Sequence, residues 1–340
     1  MASSLIFLLS RFLPHAPPLR FVMLDYSWTQ VLHLAFVRHL QFGRDIVFTS
    51  GPWGFLGGGF YPQTFALSVV LWTIFSIIFW WAAWRMASHF SSNELLSWFW
   101  LVCFIEIAGF PDEESLDIRI IAWVVLLLYL YFFIEGATLT ARQVLLTISL
   151  GMLSLTKFTG LIEATVVVCI IAADSVFCRR RFPWIILLFG TSVFVFWIAA
   201  GQHLDLFWPF LKNSWKVTDG YTEAMMWSGI NEIPIISNFL LLAAMPIMLT
   251  SYMAWERHRF FGIFPAAGLG AIVFLIFKHG YVRYDHFHET PAIMGLSLMV
   301  MACLATAWPT IRNKSRWTGF AFATVMLGVL FSCLSGSTAL

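Results

Sequence analysis

Charge is what this sequence has least of. Only 11% of its 340 residues are Asp, Glu, Lys or Arg, about half the share of a soluble domain, which excludes an ordinary water-soluble fold. The formal net charge is +2 and no basic run is suited to nucleic acid. The five cysteines (Cys103, Cys169, Cys178, Cys303 and Cys333) form no CxxC and lie in or beside apolar runs. They imply neither a disulfide framework nor a thiolate metal site. A nucleotide site is missing too. There is no Walker A, and Gly57-Gly58-Gly59-Phe60 is not a dinucleotide fingerprint.

What the chain has instead is apolar surface: 60% hydrophobic and 18% aromatic residues, with mean hydropathy +0.81. Several apolar runs reach the ~18 residues or more that cross a bilayer as a helix. Spans are predicted at about 65–87, 93–110, 118–134, 143–156, 160–177, 183–200, 235–254, 260–277, 291–308 and 318–336. Leu5–Leu13 (LIFLLSRFL) is too short to span and is broken by Arg11. It lacks a small-x-small site before the prolines that follow, so it reads as the tail end of a first span rather than a signal peptide. The expected fold is all-α: a polytopic bundle of about ten to eleven transmembrane helices forming one transmembrane domain over 1–340, without a soluble domain.

Orientation follows from basic residues in short loops. One alternating set of loops holds Arg85, Arg142, Arg179 to Arg181, Arg257, Arg259, Arg312, Lys314 and Arg316, with few acids nearby. That set is expected in the cytoplasm of a bacterial inner-membrane protein. The first segment (14–64), 111–117, the long loop 202–233 and 278–290 then face outside. Two runs, 143–156 and 160–177, are parted only by Lys157-Phe-Thr-Gly160. The first gives ~21 Å of helix, less than a bilayer, so a hairpin with its tip below the outer surface fits. Irregular backbone at that depth must line a cavity or be buried in protein.

The first outer segment carries the most pattern. Ser27-Trp-Thr-Gln30 reads as a capping box. Trp28, Val31, Leu32, Ala35, Phe36 and Leu40 follow at helical spacing, and Gly43 is a plausible stop. This predicts an amphipathic helix in the membrane interface. Asp25 stands just before its N-terminus, where the free N–H groups and the helix dipole favour a carboxylate. It can accept a proton or pair with a cation; it serves equally as a plain helix-start residue. Then comes Gly43-Arg-Asp-Ile46, Gly51-Pro52 and Gly57 to Gly59. Such a loop either packs its backbone tightly beside Asp25 or is a simple connector.

These pieces carry a resemblance. Asp25-Tyr-Ser-Trp28, the helix through Leu40, and Gly43-Arg-Asp-Ile46 leading into Gly51-Pro52 resemble the first outer loop of the integral-membrane GT-C glycosyltransferases, among them the aminoarabinose transferases and protein O-mannosyltransferases. The segment is also similar to bacterial membrane proteins with a GRDxxFTxGPxGFL-like stretch. The resemblance covers about residues 20–62 by motif and the rest by topology. It implies a GT-C-like fold, Asp25 as catalytic base, a polyprenyl-phosphate sugar as donor, and a glycan, lipid or protein as acceptor. Tyr26 and Ser27 stand where many members carry a further acid, which argues against a metal-dependent version.

Other outer charges supply candidates for the donor phosphate. Phe277–Glu289 gathers Lys278, Arg283, Asp285, His286, His288 and Glu289. Arginine offers a planar fork to phosphate oxygens and lysine a point charge. Asp285 can orient Arg283 or a histidine. A zinc site fails on spacing: His286 and His288 are two apart, which points them away from each other on a helix. The cluster also reads as a solvated loop. Lys157, alone between apolar runs, needs an anion or water, and a lipid phosphate would satisfy it. Arg44 and Asp45 join the same candidate substrate site. Asp112 and Glu113 in the acidic stretch Pro111–Asp117 can hold a divalent cation by oxygen, or form an exposed turn with Arg119 as partner. Glu106 is unusual as an acid inside an apolar run. The loop 202–233 is rich in aromatics and reads as an interfacial anchor or a cover over a lipid-linked substrate.

The expected function is therefore sugar transfer from a polyprenyl-phosphate donor on the outer side of the membrane, with Asp25 as base. Two rivals stay open. One is a transporter or flippase, for which only Glu106, Glu163 and Asp174 fall in or near spans. The other is a glycan polymerase or ligase using outer-loop arginines.

Overall fold

The computed structural model describes residues 2–14, 24–58, 60–110, 115–136, 138–225, 239–240, 243–244, 246–253, 262–281 and 286–314. Within these, side chains are described except at 24–26, 115, 221–225, 279, 286–288 and 310–314. The described residues are helical and form no strand, only isolated bridges. In chain order the helices are α1 (Ala2–Phe12), α2 (Leu24–Val37), α3 (Pro62–Phe90), α4 (Glu94–Ala108), α5 (Ser115–Tyr129), α6 (Ala141–Leu153), α7 (Phe158–Phe177), α8 (Trp184–Ala199), α9 (Phe207–Met225), α10 (Ile263–Tyr281) and α11 (His286–Lys314). Residues 246–253 are also helical. Among the described residues, four helices are long and apolar enough to cross a membrane, or five if the pair Trp184–Ala199 and Leu204–Gly220, bent by 116°, counts as one span. The chain is thus a helical membrane protein by length and composition. Against the expected ten to eleven spans, the described residues hold four to five helices long and apolar enough to cross; α1, α6 and Ile263–Lys278 are shorter apolar helices, and 318–336 lies outside the described residues.

Local chemistry sets the helix ends. Pro62 sits in the first turn of α3, where its missing N–H costs nothing. The Asn93 side chain accepts from Leu95 and Leu96 N–H. At α6, Thr140 and Gln143 bond each other reciprocally as a capping box. The α2 helix begins at Leu24, so Ser27 lies inside it and is not its cap. Its stop also comes earlier than Gly43: His39 takes φ +52° while Leu40 N–H bonds Ala35 carbonyl and His39 N–H bonds Phe36 carbonyl, a Schellman ending with histidine in the usual glycine place.

The centre of the bundle is α5. Every residue from Ile120 to Phe133 is buried, as a helix that is apolar all round must be. It packs against α11, α7 and α6. Phe12, Trp72, Phe79 and Trp123 form an aromatic knot between α1, α3 and α5, with centroids 4.6–6.0 Å apart. Large apolar side chains left exposed on α3, α4 and α8, such as Ile74, Phe99 and Phe194, face outward, where lipid replaces water.

Two charges that seemed out of place in apolar runs satisfy one another. Arg11 of α1 and Glu106 of α4 form an ion pair at 2.5 Å. Arg119 caps α1 by donating to the Arg11 carbonyl at 3.2 Å and lies 4.4 Å over the Trp72 ring; Asp112 to Glu114, its alternative partners in the acidic stretch, lie outside the described residues.

Candidate functional site

The α6–α7 break at residues 154–157 exposes backbone carbonyls inside the bundle, where each unpaired group is costly. The glycine-rich loop after α2 answers that need. Gly51 N–H donates to Thr156 carbonyl at 3.0 Å, Trp53 N–H to Leu155 carbonyl at 3.2 Å, and Phe158 N–H to Thr49 carbonyl at 2.7 Å. Ser50 and Lys157 pair as a short antiparallel bridge. A Cβ at Gly51 would run into the Leu155 carbonyl, so the approach itself requires glycine. The loop is a packed platform, not a connector.

Its other edge is fastened to the turn between α8 and α9 by two glutamines. Gln41 Nε2 donates to Gly201 carbonyl at 3.0 Å, and its Oε1 accepts from His203 N–H at 2.9 Å. Gln202 Oε1 accepts from Phe42 N–H at 2.8 Å, and its Nε2 donates to Leu40 carbonyl at 3.0 Å. Gly43, at φ +91°, lies where a Cβ would come 2.5 Å from Phe210 N. From α9, Asn213 and Ser214 donate to the Gly43 and Phe48 carbonyls. The segment 202–233, expected as a loop, thus holds a helix that braces the platform.

The platform also binds α2. Trp28 meets Phe48 with ring centroids 4.4 Å apart. His33 is buried, its Nε2 3.0 Å from the Gly58 carbonyl and its Nδ1 2.6 Å from the Thr64 hydroxyl. A carbonyl only accepts, so Nε2 carries the proton and Nδ1 accepts from Thr64. Burial lowers the pKa of this imidazole, against the opposing pull of the Gly58 carbonyl.

Lys157 sits where these parts meet. Its ammonium is 2.7 Å from Asp117 Oδ2, with the lysine side chain 22% exposed and the aspartate 6%. Thr159 Oγ1 reaches the other Asp117 oxygen at 3.5 Å. The anion that a lysine between apolar runs requires is therefore supplied within the chain. Leu116 beside Asp117 lies under Gly57, tying the start of α5 to the platform. Further along α7, Glu163 is buried; among the described residues its carboxyl makes no hydrogen bond, and the nearest charge acting on it is Lys157.

The sequence-predicted residues distribute as follows. Asp25 lies in the first turn of α2, the helix that the platform holds through Trp28 and His33. Its side chain, Arg283, Asp285, Asp112 and Glu113 lie outside the described residues, as do the side chains of His286 and His288 in the first turn of α11. Lys278 is exposed near the end of α10. Gly295 of α11 touches both Ile276 and Ile121, which puts Lys278, the start of α11 and Asp117 at one end of the bundle. Arg44 and Asp45 pair with each other at 2.9 Å on the surface. Asp45 also accepts from Gln41 N–H at 2.8 Å, and these bonds, Arg44 foremost, pull its carboxyl down to about 2. Both side chains are thus engaged in closing a turn.

Sequence reasoning missed the Asp117–Lys157 pair and the Gln41–Gln202 clasp. Forty residues separate the first pair; the available signal was that a lysine between apolar runs needs an acid at the same membrane depth. No family model, no curated protein and no solved structure matches this chain.

Proposed function

We propose that this protein is a membrane glycosyltransferase of the GT-C type, which moves a sugar from a polyprenyl-phosphate donor to an acceptor on the extracytoplasmic face. The observation that carries the reading is the placement of Lys157: a half-buried cation at the α6–α7 break, under a platform that also grips α2, the helix that carries Asp25. In this reading Asp25 removes a proton from the acceptor hydroxyl or amine, whose oxygen or nitrogen attacks the anomeric carbon. The bond from that carbon to the phosphate oxygen breaks, and the electron pair leaves with the phosphate. Base and leaving group stand on opposite faces, so the centre inverts. Lys157, with Lys278 and Arg283, receives the developing phosphate charge. Asp117 holds Lys157 in place until the donor phosphate shares it.

The test uses membranes containing this chain or its Asp25→Asn variant, given a panel of radiolabelled polyprenyl-phosphate sugars. Transfer or release of polyprenyl phosphate by the wild type and not by the variant supports the reading. Equal behaviour with every donor contradicts it. The transporter reading draws on one observation, the buried Glu163 whose carboxyl makes no hydrogen bond among the described residues; substrate uptake into proteoliposomes with no glycosyl product would favour it.

A further inference from the structure

At the far end of α7, 17 residues and ~26 Å of helix from Lys157, lies a second polar cluster. Tyr131 hydroxyl bonds Asp174 Oδ2 at 2.9 Å and Ser175 Oγ at 2.8 Å. Arg179 pairs with Asp174 at 2.7 Å and lies 5.5 Å over the Tyr131 ring. Asp174 is thereby neutralised. Tyr131 is delivered by a π-helical turn, Leu130–Ile134, that continues α5, a distortion found mostly at functional positions.

Beside this cluster opens a cavity of about 360 Å³, lined by Tyr131, Thr138, Ser175, Arg181, Phe182 and Trp184 among others. Arg181 is the one charged residue among its described lining. The Arg181 guanidinium makes no hydrogen bond or ion pair among the described residues, and Arg180 beside it is exposed. The described lining therefore carries a net positive charge and the hydroxyl of Thr138, while the Tyr131 and Ser175 hydroxyls are engaged with Asp174 and the Ile171 carbonyl. The first turn of α8 opens on to it, and a helix start favours negative charge. Its size falls within the ~300–1,000 Å³ of small-ligand sites.

We infer that this cavity binds the phosphate headgroup of an anionic membrane lipid, with Arg181 as its charged contact. The chemistry of the ligand is a phosphate ester; the surroundings assign it to a lipid. Phe182 and Trp184, 58% and 62% exposed, pair at its mouth at 4.6 Å as interfacial aromatics do. From there the exposed apolar residues Leu187, Phe194 and Val195 run along α8, an open track for an acyl chain. A basic pocket between helices on the arginine-rich side of a membrane protein is suited to such lipids. The inference does not depend on the transferase reading.

The test is lipid retention by the detergent-purified full chain, measured by native mass spectrometry with phosphatidylglycerol and with phosphatidylcholine. Arg181→Gln is compared with Lys216→Gln, an exposed substitution on α9. Because Arg181 is exposed, its replacement leaves packing intact. The expected result is preferential retention of phosphatidylglycerol, reduced roughly tenfold by Arg181→Gln, unchanged by Lys216→Gln, and resistant to excess inorganic phosphate. Equal retention of the two lipids, or no effect of Arg181→Gln, would overturn the site. Displacement of phosphatidylglycerol by inorganic phosphate would overturn the lipid assignment in favour of a soluble phosphate compound.

Discussion

At the scale of single residues, the Lys157–Asp117 pair joins two charges held largely out of water in the candidate site. Taking two charges out of water is costly, and breaking such a pair leaves the survivor unpaired. Asp117→Asn is expected to destabilise the protein by about 1–3 kcal/mol, less than a fully buried pair because Lys157 keeps some exposure. Lys157→Met combined with Asp117→Leu is expected to cost less than the sum of the two single changes. Thermal unfolding in detergent checks both, and simple additivity would show that the pair contributes nothing.

His33 makes a second prediction at this scale. Its folded pKa is lowered from 6.5 by burial, so above 6.5 both folded and unfolded forms are neutral and stability is at its plateau. As pH falls through 6.5 towards the folded value, the unfolded chain takes up a proton that the folded chain refuses. Stability then declines. The decline below pH 6.5 is expected to be smaller in His33→Gln. A pH–stability profile identical to the wild type would contradict the assignment of His33 as a neutral, buried imidazole.

At the scale of elements, the platform depends on backbone reaching backbone. Gly51→Ala is expected to destabilise by about 2 kcal/mol or more, because its Cβ meets the Leu155 carbonyl rather than a movable side chain. Gly190 is the contrast: within α8, with open space around its Cβ position, Gly190→Ala is expected to stabilise by about 0.5–1 kcal/mol. Comparing the two melting temperatures checks the claim; equal shifts would show that residues 49–53 do not need the close approach. The helices themselves were largely legible from apolar runs, because length and hydropathy report on the bilayer. The break at Lys157 was legible too, from a run of fourteen residues too short to span and parted from the next only by Lys157 to Gly160. The helix over Phe207–Met225 was not, since its aromatics read as an interfacial anchor or cover until α9 is seen bracing the platform. The start of α2 was misplaced by a turn because a Ser-x-x-Gln pattern fits a capping box wherever it falls.

At the scale of the whole molecule, charges that looked isolated in the sequence are organised by end. Arg11–Glu106 and the Arg119 cap hold α1 against α4 and α5. Glu135 is bonded by Arg142 and Thr140 where α5 gives way to α6. Lys157 and Asp117 share one end of the bundle with Lys278 and the start of α11, and the arginine-lined cavity occupies the other end of α7. Hydropathy predicts which residues enter the membrane, but long-range pairing is set by packing, so only the need for a partner was visible beforehand and not its identity.

The central claim is that Asp25 and Lys157 act on one donor in different ways. Binding and turnover of a radiolabelled polyprenyl-phosphate sugar, measured in parallel on the wild type, Asp25→Asn and Lys157→Met, tests it most directly. The account predicts that Asp25→Asn binds donor as the wild type does and forms no product, while Lys157→Met binds it roughly tenfold more weakly. Wild-type binding and turnover in both variants would contradict it.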